Sequence, residues 1–365
     1  MGKMGPPEVA RMNSFAVLLL AMLPQQASRS PVRVIQGPEA GLKVGTFVPS
    51  GSMILADAKD PPAGYASTGL TVLASTGATP AWRTRAPMPT ARYGLAAATV
   101  DGLIYAIGGT ASTITFFGTV EVYNPSTDTW STKTPMTTPR YGLVSAVVEG
   151  KIYAIGGSDA LGATATVEAY DAQTDTWQAK APLLGPRAHH AAAAVNGRIY
   201  VVGGEGTSGL LASVEEYDPQ TDTWTSRASM PTARNHLAAA SVGGLVYALG
   251  GGSSPTAKVE AYVPVSDSWS GMVPMPSARM GLAACTAHGK VYAVGDSSLT
   301  TAFEEFEPWV SRSPMRTARY FLAATAVEGP SGRIYAVGGH NGGSAVSTNE
   351  EFETGVRVLY VHRRE

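Results

Sequence analysis

The sequence contains little that would support a disulfide-stabilised or strongly charged protein. Its 365 residues include a single cysteine, Cys285, so neither an intramolecular disulfide nor a zinc site built from cysteines is available. Charged side chains make up only 15% of the residues, and 27 basic residues balance 28 acidic ones. No basic stripe is present, which argues against a nucleic-acid partner. Cys285 lies in an alanine-rich run and is predicted to be a small buried apolar residue.

The chain also lacks an apolar run long enough to span a membrane. The short apolar run at residues 15–23 follows two basic residues and precedes the small pair Ala27-Ser28. This order predicts a secretory signal over residues 1–28, and therefore a secreted or periplasmic protein. If cleavage follows Ala27, Gln25 occupies the minus-three position, where a small residue is expected. The alternative is therefore a cytoplasmic protein with a disordered N-terminal tail.

The chain does contain a repeat of 40–48 residues in six copies, a period typical of repeat architectures. Each copy has a tryptophan, an arginine ten residues later and then a glycine pair, which Gly295-Asp296 replaces in the fifth copy. The tryptophans are Trp82, Trp130, Trp177, Trp224, Trp269 and Trp309. The arginines are Arg92, Arg140, Arg187, Arg234, Arg279 and Arg319. The glycine pairs are Gly108-Gly109, Gly156-Gly157, Gly203-Gly204, Gly250-Gly251 and Gly338-Gly339.

Four short strands are predicted in each copy. The first strand, after the arginine, is dominated by alanine, and the second ends at the glycine pair. Tight turns such as Asp101-Gly102 and Asn196-Gly197 favour antiparallel hairpins, because glycine accepts a positive φ. Small side chains on the first strand allow the six copies to approach one axis. The prediction is an all-β protein, a six-bladed β-propeller of four-stranded antiparallel blades.

The repeat resembles the kelch repeat family. The resemblance rests on the glycine pair after an Ile-Tyr-Ala-Ile strand, the Glu-x-Tyr strand, the Asp-Pro-x-Thr-Asp-x-Trp turn and the Pro-Met-x-x-x-Arg link. It covers about three quarters of the chain. The fifth copy departs most from the pattern and should form the least regular blade.

Closure of the ring follows from the positions of the tryptophans. The last copy has three predicted strands but no tryptophan in phase, whereas Trp82 precedes the first strand of the first copy. We therefore predict that a strand around Trp82 completes the last blade as its outermost strand, with residues 356–361 as the competing candidate. The predicted order is an irregular Gly/Pro/Ser-rich segment at residues 29–79, the propeller at 80–356 and a tail at 357–365.

The resemblance implies a ligand site on the face that carries the variable loops. In kelch propellers that bind peptides, residues just after the arginine and just after the glycine pair contact the ligand. The first set here is Tyr93, Tyr141, Asn235, Met280 and Tyr320, with the neighbouring His189, His236 and Phe321. The second set is Thr110, Ser158, Glu205 and His340. These residues are mostly aromatic and uncharged, and several of them are alternatively interpreted as side chains that only block the channel entrance.

The six arginines are interpreted as structural, because every copy also carries a glutamate on its third strand. Each arginine is expected either to pair with this glutamate or to bond to loop carbonyl groups. His189, His236 and His340 share the loop-bearing face, but no carboxylate-histidine motif surrounds them, so no metal site is predicted. No cofactor is predicted either.

The predicted function is that of a non-catalytic binding module. Its partner is a protein loop or a glycan, mostly uncharged, and the protein is predicted to be a monomer. Among the enzymes of the family, the copper oxidases need a tyrosine–cysteine cross-link and histidine ligands, which the surroundings of Cys285 lack. The alternative is an exported carbohydrate-active enzyme, epimerase-like or oxidase-like, with its site in the channel mouth.

Overall fold

The computed structural model describes residues 53–56, 59–61, 64–75, 80–306, 309–329, 332–354 and 356–364. The chain divides into two compact units, and the larger unit, Pro80–Glu328 with Gly332–Thr354, contains all six repeats. The predicted secretory signal at residues 1–28 lies outside the described residues. Within the described ranges, no helix has the length and apolar character needed to cross a membrane.

The larger unit is a six-bladed β-propeller, as predicted, and each blade is a four-stranded antiparallel sheet. We number the blades 1 to 6 by the chain order of their innermost strands. These are Ala96–Val100, Val144–Val148, Ala191–Val195, Ala238–Val242, Ala283–Ala287 and Ala323–Val327. The second strands are Leu103–Ile107, Lys151–Ile155, Arg198–Val202, Leu245–Leu249, Lys290–Val294 and Arg333–Val337.

The third and outermost strands complete each blade. The third strands are Val120–Asn124, Val167–Asp171, Val214–Asp218, Val259–Val263, Phe303–Glu305 and Asn349–Glu353. The outermost strands are Thr129–Lys133, Thr176–Lys180, Thr223–Arg227, Ser268–Gly271, Val310–Ser311 and, in blade 6, Trp82–Arg85. A 3-10 turn, Pro264–Ser266, connects the last two strands of blade 4. Blade 5 is the least regular, as predicted, because its third and outermost strands have only three and two residues.

The ring closes through the strand that contains Trp82. Trp82–Arg85 pairs antiparallel with Asn349–Glu353, and Trp82 lies opposite Phe352. The N-terminal end of the propeller therefore supplies the outermost strand of the last blade, as the sequence predicted. The competing segment, residues 356–361, belongs to a different sheet.

The smaller unit contains a three-stranded antiparallel sheet. Its central strand, Val356–Arg364, pairs with Met53–Ala56 on one side and with Tyr65–Ser75 on the other. Here the structure differs from the irregular segment and tail expected at residues 29–79 and 357–365. The central strand is far in sequence from both of its neighbours, so the sheet depends on hydrogen bonds between the N-terminal and C-terminal parts of the chain.

The hydrophobic core of the propeller lies between neighbouring blades. In most blades the tyrosine on the second strand contacts an aromatic residue in or directly after the third strand of the next blade, as Tyr105 contacts Tyr170 with ring centroids 5.8 Å apart. In blade 5, Tyr292 instead stacks on Phe303 of its own blade. The contact between neighbouring blades also joins blade 6 to blade 1, where the rings of Tyr335 and Tyr123 are also 5.8 Å apart. The packing between blades therefore continues across the point of closure.

The repeated arginines are fully or almost fully buried within the blades. Each one forms an ion pair with the glutamate on the third strand of its own blade. The pairs are Arg92–Glu121, Arg140–Glu168, Arg187–Glu215, Arg234–Glu260, Arg279–Glu304 and Arg319–Glu350. Because each arginine has its own anion, the six do not present a ring of free positive charge to solvent.

The repeated tryptophans connect neighbouring blades. The indole N–H of each one donates a hydrogen bond to a backbone carbonyl in the link that follows the outermost strand of the preceding blade. Trp130 donates to Ala86 at 2.8 Å, and Trp82 donates to Ser313 at 3.0 Å. The indole therefore combines apolar packing with a directional contact between blades.

Candidate ligand-binding mouth of the propeller

The longer loops lie on the face where the innermost strands begin and the second strands end, and we call this face the mouth. There the residue after the arginine pairs through its backbone with the residue after the glycine pair. Tyr93 pairs with Thr110 in this way, with both N–O distances at 2.9 Å. The corresponding pairs are Tyr141 with Ser158, Ala188 with Glu205, and Tyr320 with His340. The two sets of residues singled out from the sequence are therefore neighbours.

A closed ring of six backbone hydrogen bonds surrounds the propeller axis at the mouth. In each blade, the N–H of the second residue after the arginine donates to the carbonyl of its equivalent in an adjacent blade, at 2.7–2.9 Å. All six residues have φ between 50° and 63°, the left-handed region that favours glycine. They are Gly94, Gly142, His189, His236, Gly281 and Phe321.

The three non-glycine members of this ring meet at the entrance to the central channel, and we call them the plug. The ring centroids of His189 and His236 are 4.3 Å apart, and that of Phe321 is 4.9 Å from His236 and 6.0 Å from His189. The glycines leave room for these rings, because a Cβ atom on Gly142 would lie 2.7 Å from the His189 ring. Non-glycine residues in this conformation concentrate at functional sites.

Below the plug lies a cavity of about 150 Å³. Its wall consists of the six residues of the hydrogen-bonded ring and the three residues that follow each of them, most of which are alanine or leucine. The plug therefore narrows the entrance to the upper part of the channel.

Three tyrosines surround the plug and extend its aromatic surface. The Tyr141 ring is edge-on to His189 at 5.4 Å, and the Tyr93 ring stacks on Phe321 at 6.3 Å. Tyr320 contacts Phe321 at 4.9 Å. All three tyrosines are half-buried, so their exposed edges form one aromatic surface with the plug.

The other predicted site residues differ in how much they expose. Ser158 and Met280 are half-buried at the mouth, and His340 packs edge-on against Tyr93 at 5.1 Å. Thr110, in contrast, is only 1% exposed, and its hydroxyl donates to the carbonyl oxygen of Thr115 at 2.6 Å. The side chain of Thr110 therefore stabilises its own hairpin.

Small hairpins extend from the mouth loops of blades 1 to 3. They are Thr110–Ser112 with Thr115–Phe116, Ser158–Asp159 with Gly162–Ala163, and Glu205–Gly206 with Gly209–Leu210. Phe116 of the first hairpin stacks on Tyr141 at 5.4 Å, a contact that the sequence analysis missed. The sequence contained one signal for this contact, because Phe116 is an aromatic residue within the longest of the loops that follow a glycine pair. Ile114 and Leu161, in the turns of two hairpins, are 85% and 97% exposed.

The histidines of the plug are uncharged near neutral pH. Burial, together with the adjacent His236, lowers the pKa of His189 to about 3. Burial also lowers the pKa of His236. Cys285 is buried in blade 5, and burial raises the pKa of its thiol to about 12. In the described part of the chain, no group of three or more His, Cys, Asp or Glu side chains is placed to hold a metal ion.

Acid should destabilise the propeller through these histidines. The unfolded state binds more protons than the folded state between about pH 6.5 and pH 3, because the pKa of His189 is lowered to about 3 on folding. The stabilisation is therefore present above about pH 6.5 and is lost as the pH falls, by about 2 kcal/mol for His189 between pH 7 and pH 5. Urea unfolding at both pH values measures this loss.

The variant His189→Phe tests the assignment of this effect to His189. Phenylalanine already occupies the equivalent position in blade 6, as Phe321, so the backbone conformation tolerates it. We expect the variant to lose about 2 kcal/mol less than the wild type between pH 7 and pH 5. An unchanged pH dependence would contradict a neutral, buried His189.

Comparisons with known proteins agree with this architecture. The family model described as the KLHDC2/KLHL20/DRC7 Kelch-repeats domain matches residues 70–226, and the model described as Kelch motif matches residues 233–276. The chain belongs to the kelch repeat family. Among solved structures, 761 chains match this kelch propeller. No curated protein matches it.

One matching solved structure is described as "Structure of YjhT". It has a TM-score of 0.62 and 16% sequence identity, and the match covers 74% of this chain and 98% of that chain. At this identity the likeness concerns the fold alone.

Proposed function

We propose that this kelch propeller is a protein-interaction module whose mouth binds a mostly uncharged loop of a partner protein. The observation that carries the proposal is the continuous aromatic surface formed by Tyr93, Tyr141, Tyr320 and the plug. Tyrosine contributes strongly to protein interfaces because it offers a large rigid contact area and a hydroxyl group.

Two further features support a protein loop as the partner. The lowered pKa values of His189 and His236 keep the plug itself uncharged near neutral pH, which suits a mostly uncharged segment. Ile114 and Leu161 expose apolar side chains on the hairpins beside the mouth. Apolar groups of this size favour contact with a protein surface, whereas a glycan offers mainly hydroxyl groups.

Selection from a library of displayed cyclic heptapeptides tests the proposal. We expect selected loops to bind the wild-type propeller and to bind the triple variant Tyr93→Ala, Tyr141→Ala, Tyr320→Ala more than tenfold more weakly, because each buried aromatic contact contributes about 1–2 kcal/mol. A matched control, Gln173→Ala with Gln220→Ala, changes exposed residues on the opposite face and should leave binding unchanged.

Thermal melts of both variants confirm that they remain folded. Loops that bind the wild type and the tyrosine variant equally would refute recognition at the mouth. A glycan array with the same three proteins gives the competing outcome, since glycans that bind in a tyrosine-dependent manner would replace the protein loop as the ligand.

A further inference from the structure

The carboxylate of Glu205 at the mouth forms no ion pair with a lysine or arginine among the described residues. Glu205 follows the glycine pair of blade 3, and its side chain is 41% exposed. Its nearest basic group is the Nε2 atom of His189, 3.7 Å from Oε1. Because the pKa of His189 is lowered to about 3, this imidazole is neutral near pH 7 and does not compensate the charge.

The basic side chains near the mouth do not supply the missing charge. No lysine or arginine nitrogen of the described residues lies within 4.0 Å of Glu205. The ammonium group of Lys258, directly before the third strand of blade 4, donates a hydrogen bond to the hydroxyl of Thr232 at 3.0 Å. The six repeated arginines are paired with glutamates inside their blades, as described above.

Glu205 is also unusual among the residues that follow the glycine pairs. The equivalent residues in the other blades are Thr110, Ser158, Gly252, Ser297 and His340. A negative charge at this position is therefore not part of the repeat, and its presence in blade 3 alone makes the mouth asymmetric.

Asn235 of blade 4 holds this carboxylate in place. Its Nδ2 group donates to Oε2 of Glu205 at 2.8 Å, which determines the orientation of the amide. Asn235 is only 7% exposed, and its Oδ1 atom accepts no hydrogen bond from the described residues. The Oδ1 atom is itself shielded from solvent, so the half-exposed carboxylate of Glu205, held in place by Asn235, is the acceptor that suits a ligand rich in N–H donors.

Flat aromatic rings lie next to this pair. His189 contacts Glu205, and the ring of Tyr141 is 5.4 Å from that of His189. A guanidinium group matches both parts of this site. It is cationic and carries five N–H donors in one plane, which suits a carboxylate, and it stacks on aromatic faces. An ammonium group has the charge but not the planar shape.

We infer that the mouth binds an arginine side chain, with the guanidinium on the carboxylate of Glu205 and against the rings of His189 and Tyr141. This inference rests on the proposed function and names the residue that the partner loop presents. A single arginine is compatible with an otherwise uncharged loop.

Isolated arginine analogues test the inference without a selected loop. The probe is Nα-acetyl-arginine N-methylamide, compared by NMR titration with its citrulline and lysine counterparts. Citrulline has nearly the same shape but no charge. We expect the arginine analogue to bind at least about tenfold more tightly than citrulline, because only the guanidinium combines the N–H donors with a positive charge opposite the carboxylate of Glu205. The preference over citrulline should decrease as salt is added.

The variant Glu205→Gln should abolish the preference for arginine over citrulline. The same substitution on the opposite face, Glu149→Gln, is the matched control and should retain it. Absence of binding, equal binding of arginine and citrulline, equal binding of the lysine analogue, or a preference that survives Glu205→Gln would overturn the inference. The heptapeptide selection does not require arginine, so tyrosine-dependent loops would uphold the proposed function even then.

Discussion

Replacing Glu350 with glutamine should lower the free energy of unfolding by about 3–5 kcal/mol, the cost of leaving one charge of a buried ion pair without its partner. Both side chains are fully buried, and the Nη2 atom of Arg319 is 2.8 Å from Oε2 of Glu350. In the variant, Arg319 keeps the carbonyl oxygens of Gly338 at 2.7 Å and Thr348 at 3.0 Å. Neutral acceptors do not replace an anion, and burial already lowers the pKa of Arg319. Urea unfolding at pH 7 measures the difference.

An exposed ion pair in the same blade provides the control. Arg83 and Glu353 are 3.8 Å apart, and the side chain of Arg83 is 61% exposed. The variant Arg83→Gln should change the free energy of unfolding by less than about 1 kcal/mol. The double variant Arg319→Met with Glu350→Leu removes both buried charges and should be more stable than Glu350→Gln. Equal losses in Glu350→Gln and Arg83→Gln would show that the buried pairs do not support the blades.

The propeller was predictable because the same side chains recur at constant spacing in six copies. A position such as that of Trp130 has the same role in each blade, so one interpretation of the repeat accounts for strands, turns and closure together. The sheet formed by Tyr65–Ser75 and Val356–Arg364 has no such support. Its pairing joins two ends of the chain that share no repeated feature, and a single sequence offers no signal for it.

The residues of the mouth were predictable, but their arrangement was not. The phase of the repeat identifies His189, His236 and Phe321 as neighbours on one face. Their contact at the channel entrance depends on a ring of backbone hydrogen bonds at positive φ, a conformation that the side chains themselves do not indicate. Whether His189 compensates the charge of Glu205 depends on the burial of the imidazole, which only the structure gives.

The variant Trp82→Ala should be the most damaging of the six tryptophan replacements, at about 3–5 kcal/mol. Trp82 is only 4% exposed, and its ring centroid lies 5.1 Å from Phe303 and 5.4 Å from Phe352. It also begins the strand that joins the two ends of the ring, so the lost packing weakens closure as well as one blade. Urea unfolding measures the loss.

Trp177 is the matched control, because it occupies the same position in blade 2 but is more exposed, and its strand is continuous with its own blade. Trp177→Ala should cost about half as much or less, since less apolar surface leaves the core. Hydrogen exchange separates closure from packing. In Trp82→Ala the amides of Asn349–Glu353 should exchange faster, because the neighbouring strand detaches more often, whereas those of blade 2 should not. Similar losses in both variants, with unchanged exchange at Asn349–Glu353, would mean that the ring does not depend on the strand of Trp82 for its closure.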